Sequence, residues 1–276
     1  MKRILSVYEK ALPPELTLYE RLVEAGKAGF DALELSIDET EEKLSRLCWS
    51  NEQRRELKNA VADSGVGINT ICLSGHRKYP LGSADPATEK RGLEIAEKAI
   101  EFAYDVGVRI IQLAGYDVYY EPSDESTRER FAENLARVVG MASKRGVILG
   151  FETMETDFMN TVSKAMKYVR LINSPYLQIY PDVGNVYNGT DDVLKDIESG
   201  RGHICAAHLK ETLPGVFRNM HYGDGRVDFP AVISALKEQG VGIYNAEFWY
   251  DPQWLSGDWR QALRDAHGYL RPLLED

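Results

Sequence analysis

Four polar residues interrupt or end apolar runs of this 276-residue chain in a pattern typical of metal chemistry. Glu152 ends the segment GVILGFE, and Asp182 follows LQIYP. His208 ends HICAAH, and Glu247 lies within IYNAEFW. Two glutamates, an aspartate and a histidine form a nitrogen and oxygen donor set suited to Mn²⁺, Mg²⁺, Co²⁺ or Zn²⁺. An alternative is that each is a separate polar residue at a strand end, paired with a neighbouring cation such as Lys210.

The two glutamates of this set suggest a reaction. A divalent ion held by adjacent strands can bind two vicinal oxygens of a sugar and polarise its carbonyl group. If Glu152 and Glu247 lie on opposite sides of the ion, one can remove a proton from the α-carbon while the other delivers a proton to the opposite face. The expected chemistry is epimerisation next to a ketone, through an enediolate. The chain carries no nucleotide, flavin or pyridoxal signature, so we expect one divalent ion and no nucleotide cofactor.

Eight short apolar runs alternate with eight amphipathic patterns and would position these residues. The predicted strands cover residues 4–8, 32–37, 66–73, 108–114, 147–152, 177–181, 204–209 and 243–248. The predicted helices cover residues 16–27, 51–63, 87–105, 127–144, 161–172, 191–197, 229–239 and 259–270. Apolar strands separated by crossover helices indicate a parallel sheet that is covered on both faces. Eight such units favour a single (β/α)8 TIM barrel over an open doubly wound sheet.

Glycines mark several junctions between a predicted helix and the next predicted strand. Gly65, Gly107, Gly146 and Gly240 each stand where a helix would end in the left-handed conformation. The opposite junctions are longer and more irregular, at residues 74–86, 115–126 and 212–227. Long loops at the carboxyl ends of barrel strands are where such folds build their active sites.

The composition is that of a globular protein with a sizeable core. Hydrophobic residues make up 43% of the chain, aromatic residues 10%, and the formal net charge is −10. The acidic balance disfavours nucleic-acid binding. Three cysteines at wide spacing indicate no disulfide framework, and no apolar run approaches the length of a membrane span. We therefore expect one cytoplasmic catalytic domain over residues 1–276, without nucleic-acid or membrane partners, as a homo-oligomer (dimer or tetramer).

Longer segments resemble a known family. They are YEKALP at 8–13, SIDET at 36–40, LSGHRKYPLGS at 73–83, PDVGN at 181–185, HLKET at 208–212, FR at 217–218 and GDGRVDF at 223–229. These segments are similar to those of the L-xylulose-5-phosphate 3-epimerases, also called L-ribulose-5-phosphate 3-epimerases, which are metal-dependent TIM barrels. The resemblance extends over nearly the whole chain and implies a phosphorylated ketopentose as substrate.

The resemblance also implies roles for individual residues. Glu152, Asp182, His208 and Glu247 would hold the metal, with Glu152 and Glu247 as the acid and base. Arg218 would contact substrate oxygens, or alternatively pair with Asp224 or Asp228 in its own loop.

Further substrate contacts are expected near the start of the chain and in the loop after the third strand. Lys10, Ser74, His76 and Arg77 offer donors for a phosphate dianion, and Asn185 is a further candidate. Alternatively, Lys10 and Arg77 are solvated charges and His76 caps a turn.

Two positions depart from related free-ketohexose 3-epimerases. Some of those carry a histidine three residues after the metal-binding aspartate, where this chain has Asn185. They also carry a glutamate where this chain has Phe158, and the nearby Glu155 could be a surface residue.

Three other functions stay open at this point. The first is a 3-epimerase or isomerase of free ketoses on the same fold. The second is a DNA-repair endonuclease of the related metal-dependent barrel type, although its multi-zinc site needs more ligands than five histidines readily supply. The third is a non-catalytic sugar- or metal-binding protein.

Overall fold

Eight parallel strands form the central sheet of the protein. The computed structural model describes residues 2–254 and 258–275. The strands are β1 (Ile4–Tyr8), β2 (Ala32–Ile37), β3 (Gly67–Leu73), β4 (Ile110–Ala114), β5 (Ile148–Glu152), β6 (Leu177–Tyr180), β7 (Ala207–Leu209) and β8 (Ile243–Ala246). They pair in the order β6-β5-β4-β3-β2-β1-β8-β7. Isolated bridges from Ile179 to Ile204 and from Asp182 to His208 join β6 to the β7 segment and close the sheet. The predicted (β/α)8 barrel is confirmed.

Ten helices accompany the strands in the described part of the chain. They are α1 (Leu18–Lys27), α2 (Glu41–Ser45), α3 (Asn51–Ser64), α4 (Pro86–Val106), α5 (Glu125–Arg145), α6 (Val162–Ile172), α7 (Val183–Gly189), α8 (Val193–Glu198), α9 (Phe229–Glu238) and α10 (Trp259–Leu274). The eight predicted helices correspond to all of these except α2 and α7, which are short and follow β2 and β6. None of the described helices combines the length and the apolarity needed to cross a membrane.

Helix ends follow the glycine pattern at three of the four predicted positions. Gly65, Gly107 and Gly146 terminate α3, α4 and α5 with φ of 69°, 87° and 65°. Gly240 is also left-handed, with φ of 81°, but α9 is capped one residue earlier by Gln239. These tight turns lie at the amino ends of the following strands, which leaves the longer loops at the carboxyl ends.

The apolar core lies between the strands and the surrounding helices. Leu33 of β2 belongs to one buried cluster with Leu22 of α1, Ile95 of α4 and Leu135 of α5. Several other fully buried strand residues are polar, namely Ser6, Glu34, Thr70, Gln112 and Asn245. Because Asn245 of β8 donates to Thr70 of β3 at 3.1 Å across the sheet, these side chains lie inside the barrel.

Candidate active site

Four buried side chains converge at the carboxyl end of the barrel. Glu152 is the last residue of β5, Asp182 follows β6, His208 lies within β7, and Glu247 follows β8. One potential ligand atom from each lies within 4.8 Å of those of the other three. The four are therefore not separate polar residues, although the part of the alternative that pairs them with Lys210 holds for Asp182 and Glu247.

Local backbone structure explains the position of Asp182. Its Oδ1 accepts a hydrogen bond from the Asn185 amide at 2.9 Å and so caps α7. Its own amide donates to Thr153 Oγ1 at 3.0 Å, and Thr153 in turn donates to the Asp182 carbonyl at 3.1 Å. With Oδ1 engaged by the helix, Oδ2 is the oxygen that faces the cluster.

His208 contacts carboxylates through both ring nitrogens. Nδ1 lies 2.8 Å from Glu152 Oε1 and 3.1 Å from Glu247 Oε2. Nε2 lies 2.6 Å from Glu34 Oε1, deeper in the barrel. The imidazole therefore stands between the two glutamates on one side and a third buried carboxylate on the other.

Negative charge exceeds positive charge in the cluster. Burial raises the pKa of Glu152 against the influence of His208, and Glu247 adds to the rise. Burial also raises the pKa of Asp182 well above its ordinary value, although Lys210 opposes the shift. For Glu247 the effect of burial is outweighed by Lys210 and His208, which lower its pKa. Three buried carboxylates this close together need additional positive charge to be stabilised as anions.

Two buried carboxylate oxygens lie near cationic side chains without forming well-aligned hydrogen bonds. Asp182 Oδ2 and Glu247 Oε2 are buried and accept no well-aligned hydrogen bond from the described residues. The Lys210 ammonium lies close to Asp182 Oδ2 and 3.6 Å from Glu247 Oε2. Buried acceptors with poorly aligned donors are costly, and a divalent ion would satisfy them better. The donor set therefore fits a divalent metal.

A cavity of about 570 Å³ opens above this cluster. Of the four candidate ligands, Glu152 and Glu247 line it, whereas Asp182 and His208 do not. The predicted substrate-binding residues that line it are Lys10, Ser74, Arg77, Asn185 and Arg218. The cavity also has aromatic walls that the sequence analysis did not single out, formed by Tyr8, Tyr119 and Trp249. A polar floor with aromatic walls suits a sugar-sized molecule.

Arg77 stands on one wall of the cavity. Its guanidinium carbon lies 5.1 Å from the ring centre of Tyr119 and 5.6 Å from that of Tyr116. The Tyr116 hydroxyl donates to Glu155 at 2.7 Å, which ties the loops after β4 and β5 together. Arg77 Nε is buried and has no hydrogen-bond partner among the described residues, so the side chain retains a free donor.

Arg218 stands on another wall. Its guanidinium carbon lies 4.4 Å from the ring centre of Trp249, and no ion pair with Asp224 or Asp228 is found in the described residues. The loop that carries Arg218 is held by the buried Glu211, which accepts from the amides of Gly223 at 2.9 Å and Val227 at 3.1 Å. The stacked arginine therefore faces the cavity instead of neutralising its own loop.

Lys10 and Asn185 reach the cavity in different electrostatic settings. Lys10 pairs with Asp38 at 2.6 Å, and its side chain is 30% exposed. Asn185 is buried, and its Nδ2 donates to the Thr153 carbonyl at 2.7 Å. Its Oδ1 has no partner in the described residues, which leaves an acceptor for a substrate hydroxyl.

The structure places His76 elsewhere. The imidazole is buried, and Nε2 lies 3.1 Å from the Gly92 carbonyl in α4. Burial lowers the pKa of His76 to about 4, so the ring is neutral and binds its own protein backbone. His76 does not line the cavity, so the prediction that it contacts substrate gains no support from its position.

Phe158 and Glu155, the two residues compared above with free-ketohexose enzymes, lie in different surroundings. Phe158 packs edge-on against Phe131 of α5, with ring centres 5.2 Å apart, and faces the core. Glu155 is exposed, as expected of a surface residue, and it also lines the cavity. The position at which free-ketohexose enzymes carry a glutamate is thus apolar and turned away from the site.

A family model described as xylose isomerase-like TIM barrel matches residues 22–273. The chain belongs to this family. L-ribulose-5-phosphate 3-epimerase UlaE of Escherichia coli (strain SMS-3-5 / SECEC) is 50% identical over 246 residues, which are 89% of this chain and 87% of that protein. The protein of the same description from Salmonella heidelberg (strain SL476) has the same identity and coverage. The resemblance to L-ribulose-5-phosphate 3-epimerases is confirmed.

Solved structures of sugar epimerases share the barrel at lower sequence identity. D-psicose 3-epimerase from Clostridium cellulolyticum H10, with D-tagatose, aligns with a TM-score of 0.83 and 19% identity over 99% of this chain and 100% of that one. An L-ribulose 3-epimerase aligns with a TM-score of 0.79 and 21% identity over 99% of this chain and 95% of that one. These likenesses support the fold.

Proposed function

We propose that this protein is a metal-dependent 3-epimerase that interconverts L-xylulose 5-phosphate and L-ribulose 5-phosphate. The observation that carries the proposal is that the candidate ligands differ in their access to the cavity. All four side chains converge, yet only the two glutamates line the cavity. The 50% identity to L-ribulose-5-phosphate 3-epimerases supports the choice of reaction and substrate.

The proposed reaction is a proton transfer at C3. Glu152 and Glu247 stand on different strands, β5 and β8, with His208 Nδ1 between them. One glutamate takes the proton from C3, and the electron pair of the broken bond moves into C2–C3 to give the enediolate. The other glutamate delivers a proton to the opposite face, which inverts C3. In the reverse direction the two glutamates exchange roles, and solvent restores their protons.

A divalent ion held by Glu152, Asp182, His208 and Glu247 would supply Lewis acidity toward the substrate oxygens at C2 and C3. Mn²⁺, Zn²⁺, Co²⁺ and Mg²⁺ all suit this nitrogen and oxygen donor set. Asn185 Oδ1 and the Arg218 guanidinium would orient the hydroxyls around the reacting carbon. Tyr8 and Trp249 would exclude water from the enediolate.

We assign the phosphate to the side of the cavity that carries Arg77. Arg77, Ser74 and Lys10 line the cavity, and Arg77 retains a buried donor without a partner. An arginine held over two tyrosine rings is pre-organised to bind an oxyanion. This arrangement supports a phosphorylated ketopentose over a free ketose.

A direct assay separates the candidate reactions. Purified protein is depleted of metal by chelation, reloaded with one divalent ion and mixed with L-xylulose 5-phosphate or with free L-xylulose. We expect L-ribulose 5-phosphate to form, only with metal present, and the phosphate ester to have the higher kcat/KM. Preference for the free sugar would establish the free-ketose alternative, formation of an aldose would establish an isomerase, and turnover without metal would contradict the proposal.

Arg77→Met tests the phosphate assignment. We expect KM for L-xylulose 5-phosphate to rise about tenfold or more, because hydrogen bonds to charged groups contribute about 1.5–3 kcal/mol. Rates with free L-xylulose should change little. Arg109→Met is the matched control, since Arg109 also lies over a tyrosine ring, 5.3 Å from the Tyr104 centre, but at the amino end of β4. Equal losses with both substrates would show that Arg77 is structural.

The remaining expectations about the whole protein stay proposals. We propose one catalytic domain over residues 1–276, a cytoplasmic location and a homo-oligomeric state. The multi-zinc endonuclease alternative gains no support, because a single group of this kind is found within residues 2–254 and 258–275.

A further inference from the structure

Glu34 is a fully buried carboxylate in the middle of β2 and lies outside the candidate ligand group. Its ion-pair partner among the described residues is His208, with Nε2 and Oε1 2.6 Å apart, and no lysine or arginine pairs with it there. A carboxylate without solvent or a permanent cation is costly to bury. Its position therefore calls for a function that involves His208.

We propose that Glu34 is a positioning residue that presents Nδ1 of His208 to the metal. The Nε2–H group donates to Glu34 Oε1, so the lone pair of the neutral ring resides on Nδ1. Nδ1 is the nitrogen that faces Glu152 at 2.8 Å and Glu247 at 3.1 Å. A carboxylate behind a ligating histidine fixes its tautomer and increases its basicity. The inference rests on the ligand set of the proposed function but not on the identity of the substrate.

The second carboxylate oxygen of Glu34, Oε2, also accepts hydrogen bonds from buried side chains. Thr70 Oγ1 donates to Oε2 at 2.7 Å, and the Tyr180 hydroxyl donates at 2.9 Å. Asn245 donates to both of those hydroxyls, so the hydroxyl protons are directed toward Glu34. The carboxylate therefore cannot turn without breaking hydrogen bonds to β3 and to β6. This network gives Glu34 the fixed orientation that a positioning residue needs.

Two substitutions distinguish the effect of the negative charge of Glu34 from the effect of its hydrogen bond to His208. Glu34→Gln keeps an oxygen that can accept from Nε2–H but removes the negative charge, and Glu34→Leu removes both. We expect Glu34→Leu to weaken Zn²⁺ and Mn²⁺ binding by about 10–100-fold, the range found for partners of ligating histidines. Glu34→Gln should weaken the binding of these metals less than Glu34→Leu does. Affinity is measured by calorimetric titration of the metal-free protein, without substrate.

Asp196→Asn is the matched control for replacing a buried carboxylate. Asp196 is buried in α8 and accepts from the amides of Val162 and Ser163 at 2.7 and 3.0 Å. Within the described residues it forms no hydrogen bond or ion pair with the ligand group. The Asp196→Asn variant should have lower thermal stability than wild type and unchanged metal affinity. If wild type binds metal and both Glu34 variants bind equally tightly, the inference fails while the proposed function stands. If wild type binds no metal, the proposed function fails too.

The wild-type protein provides a test that does not depend on the folding of a variant. In zinc-loaded protein with ¹⁵N-labelled histidine, the spectrum of His208 should show a metal-bound Nδ1 and a protonated Nε2. The Nε2 proton should be strongly deshielded by its short hydrogen bond to Glu34. A metal-bound Nε2, or an Nε2 proton that exchanges freely with solvent, would overturn the inference.

Discussion

Two buried charge clusters lie at the same end of the barrel and differ in the sign of their excess charge. Around Glu9, after β1, one carboxylate meets three cations, Arg21, Lys43 and Arg46. Around His208, the carboxylates of Glu34, Glu152, Asp182 and Glu247 meet the imidazole and the Lys210 ammonium. The first cluster has surplus positive charge, whereas the second has surplus negative charge.

The clusters also differ in how well their oxygens are satisfied. Glu9 Oε2 accepts from Arg46 at 2.6 Å and from the Ser36 amide at 2.8 Å, and Oε1 accepts from Lys43 at 2.6 Å. In the other cluster Asp182 Oδ2 and Glu247 Oε2 lack well-aligned donors. The cluster around Glu9, whose carboxylate oxygens are all hydrogen-bonded, stabilises two loops of the barrel. The cluster around His208 has oxygens that remain available to bind a ligand. Buried charge alone therefore does not identify a functional site. The atom left without a hydrogen bond near Glu9 is a donor, Arg21 Nε, whereas near His208 carboxylate oxygens are left, and these can bind a metal ion.

The largest effect expected is on turnover when the unsatisfied cluster loses a glutamate. Glu152→Gln and Glu247→Gln should each lower kcat by about 10²–10⁴-fold, the usual contribution of a general acid or base. Neither should greatly lower the melting temperature of the metal-free protein, because each removes a charge from a cluster with excess negative charge. Steady-state kinetics and thermal unfolding check both expectations. A variant with near wild-type kcat would show that its glutamate is a ligand only.

The satisfied cluster should respond in the opposite way. Glu9→Gln leaves three buried cations without their anion, so the free energy of unfolding should fall by about 3–5 kcal/mol. At 25 °C its kcat should fall far less than that of Glu152→Gln. Urea denaturation measures the loss. Glu198→Gln, which breaks the exposed pair with Arg201, is the control and should lower the free energy of unfolding far less. An equal loss in Glu9→Gln would show that the buried pairs of Glu9 contribute no more to stability than an exposed pair.

Metal should stabilise one cluster and not the other. A divalent ion at 100 times its Kd should raise the free energy of unfolding by about 2.7 kcal/mol, and chelation should reverse the gain. The gain should shrink in Asp182→Asn, because that variant weakens a ligand, and it should persist in Glu9→Gln. Thermal unfolding with and without metal provides the comparison. An equal gain in all three proteins would place the metal elsewhere.

The smallest expected effect is a pH dependence of the free energy of unfolding that is caused by Glu9. Burial opposes ionisation, but Arg46, Lys43 and Arg21 together lower the pKa of Glu9 from 4.5 to about 2. A lowered pKa stabilises the folded state above pH 4.5 and loses that contribution as the pH falls toward 2. The difference in free energy of unfolding between wild type and Glu9→Gln should therefore shrink over this window. A constant difference would show that Glu9 is not ionised in the folded protein.

Short-range patterns in the sequence are enough to predict the barrel and the convergence of four candidate metal ligands. A carboxylate or imidazole at the end of an apolar run marks a strand end, and β1 and β2 match their predicted bounds fully. The short α7 was not predicted, because its seven residues leave too little room for helical periodicity, although Asp182 is a good capping residue. Residues 204–206 were predicted as strand, but the ladder of β7 holds only Ala207–Leu209.

Partners that are distant in sequence could not be predicted in the same way. Glu34 lies inside the apolar run ALELSI, and its partner His208 is 174 residues away. Glu9 looks like a surface residue in the sequence, but Lys43 of α2 and Arg46 just after α2 pair with it in the fold. The orientation of His76 depends on the packing of α4, which its short loop motif does not encode. An unpaired carboxylate within an apolar strand is the signal that could have revealed Glu34.

The position of isotope exchange tests the central claim that two glutamates act on opposite faces of C3. With metal-loaded wild-type protein in deuterated water, NMR should show deuterium entering C3 of both L-xylulose 5-phosphate and L-ribulose 5-phosphate. Glu152→Gln and Glu247→Gln should each retain exchange from one epimer only, and from opposite epimers. Exchange at another carbon, or loss of exchange from the same epimer in both variants, would contradict the two-glutamate account.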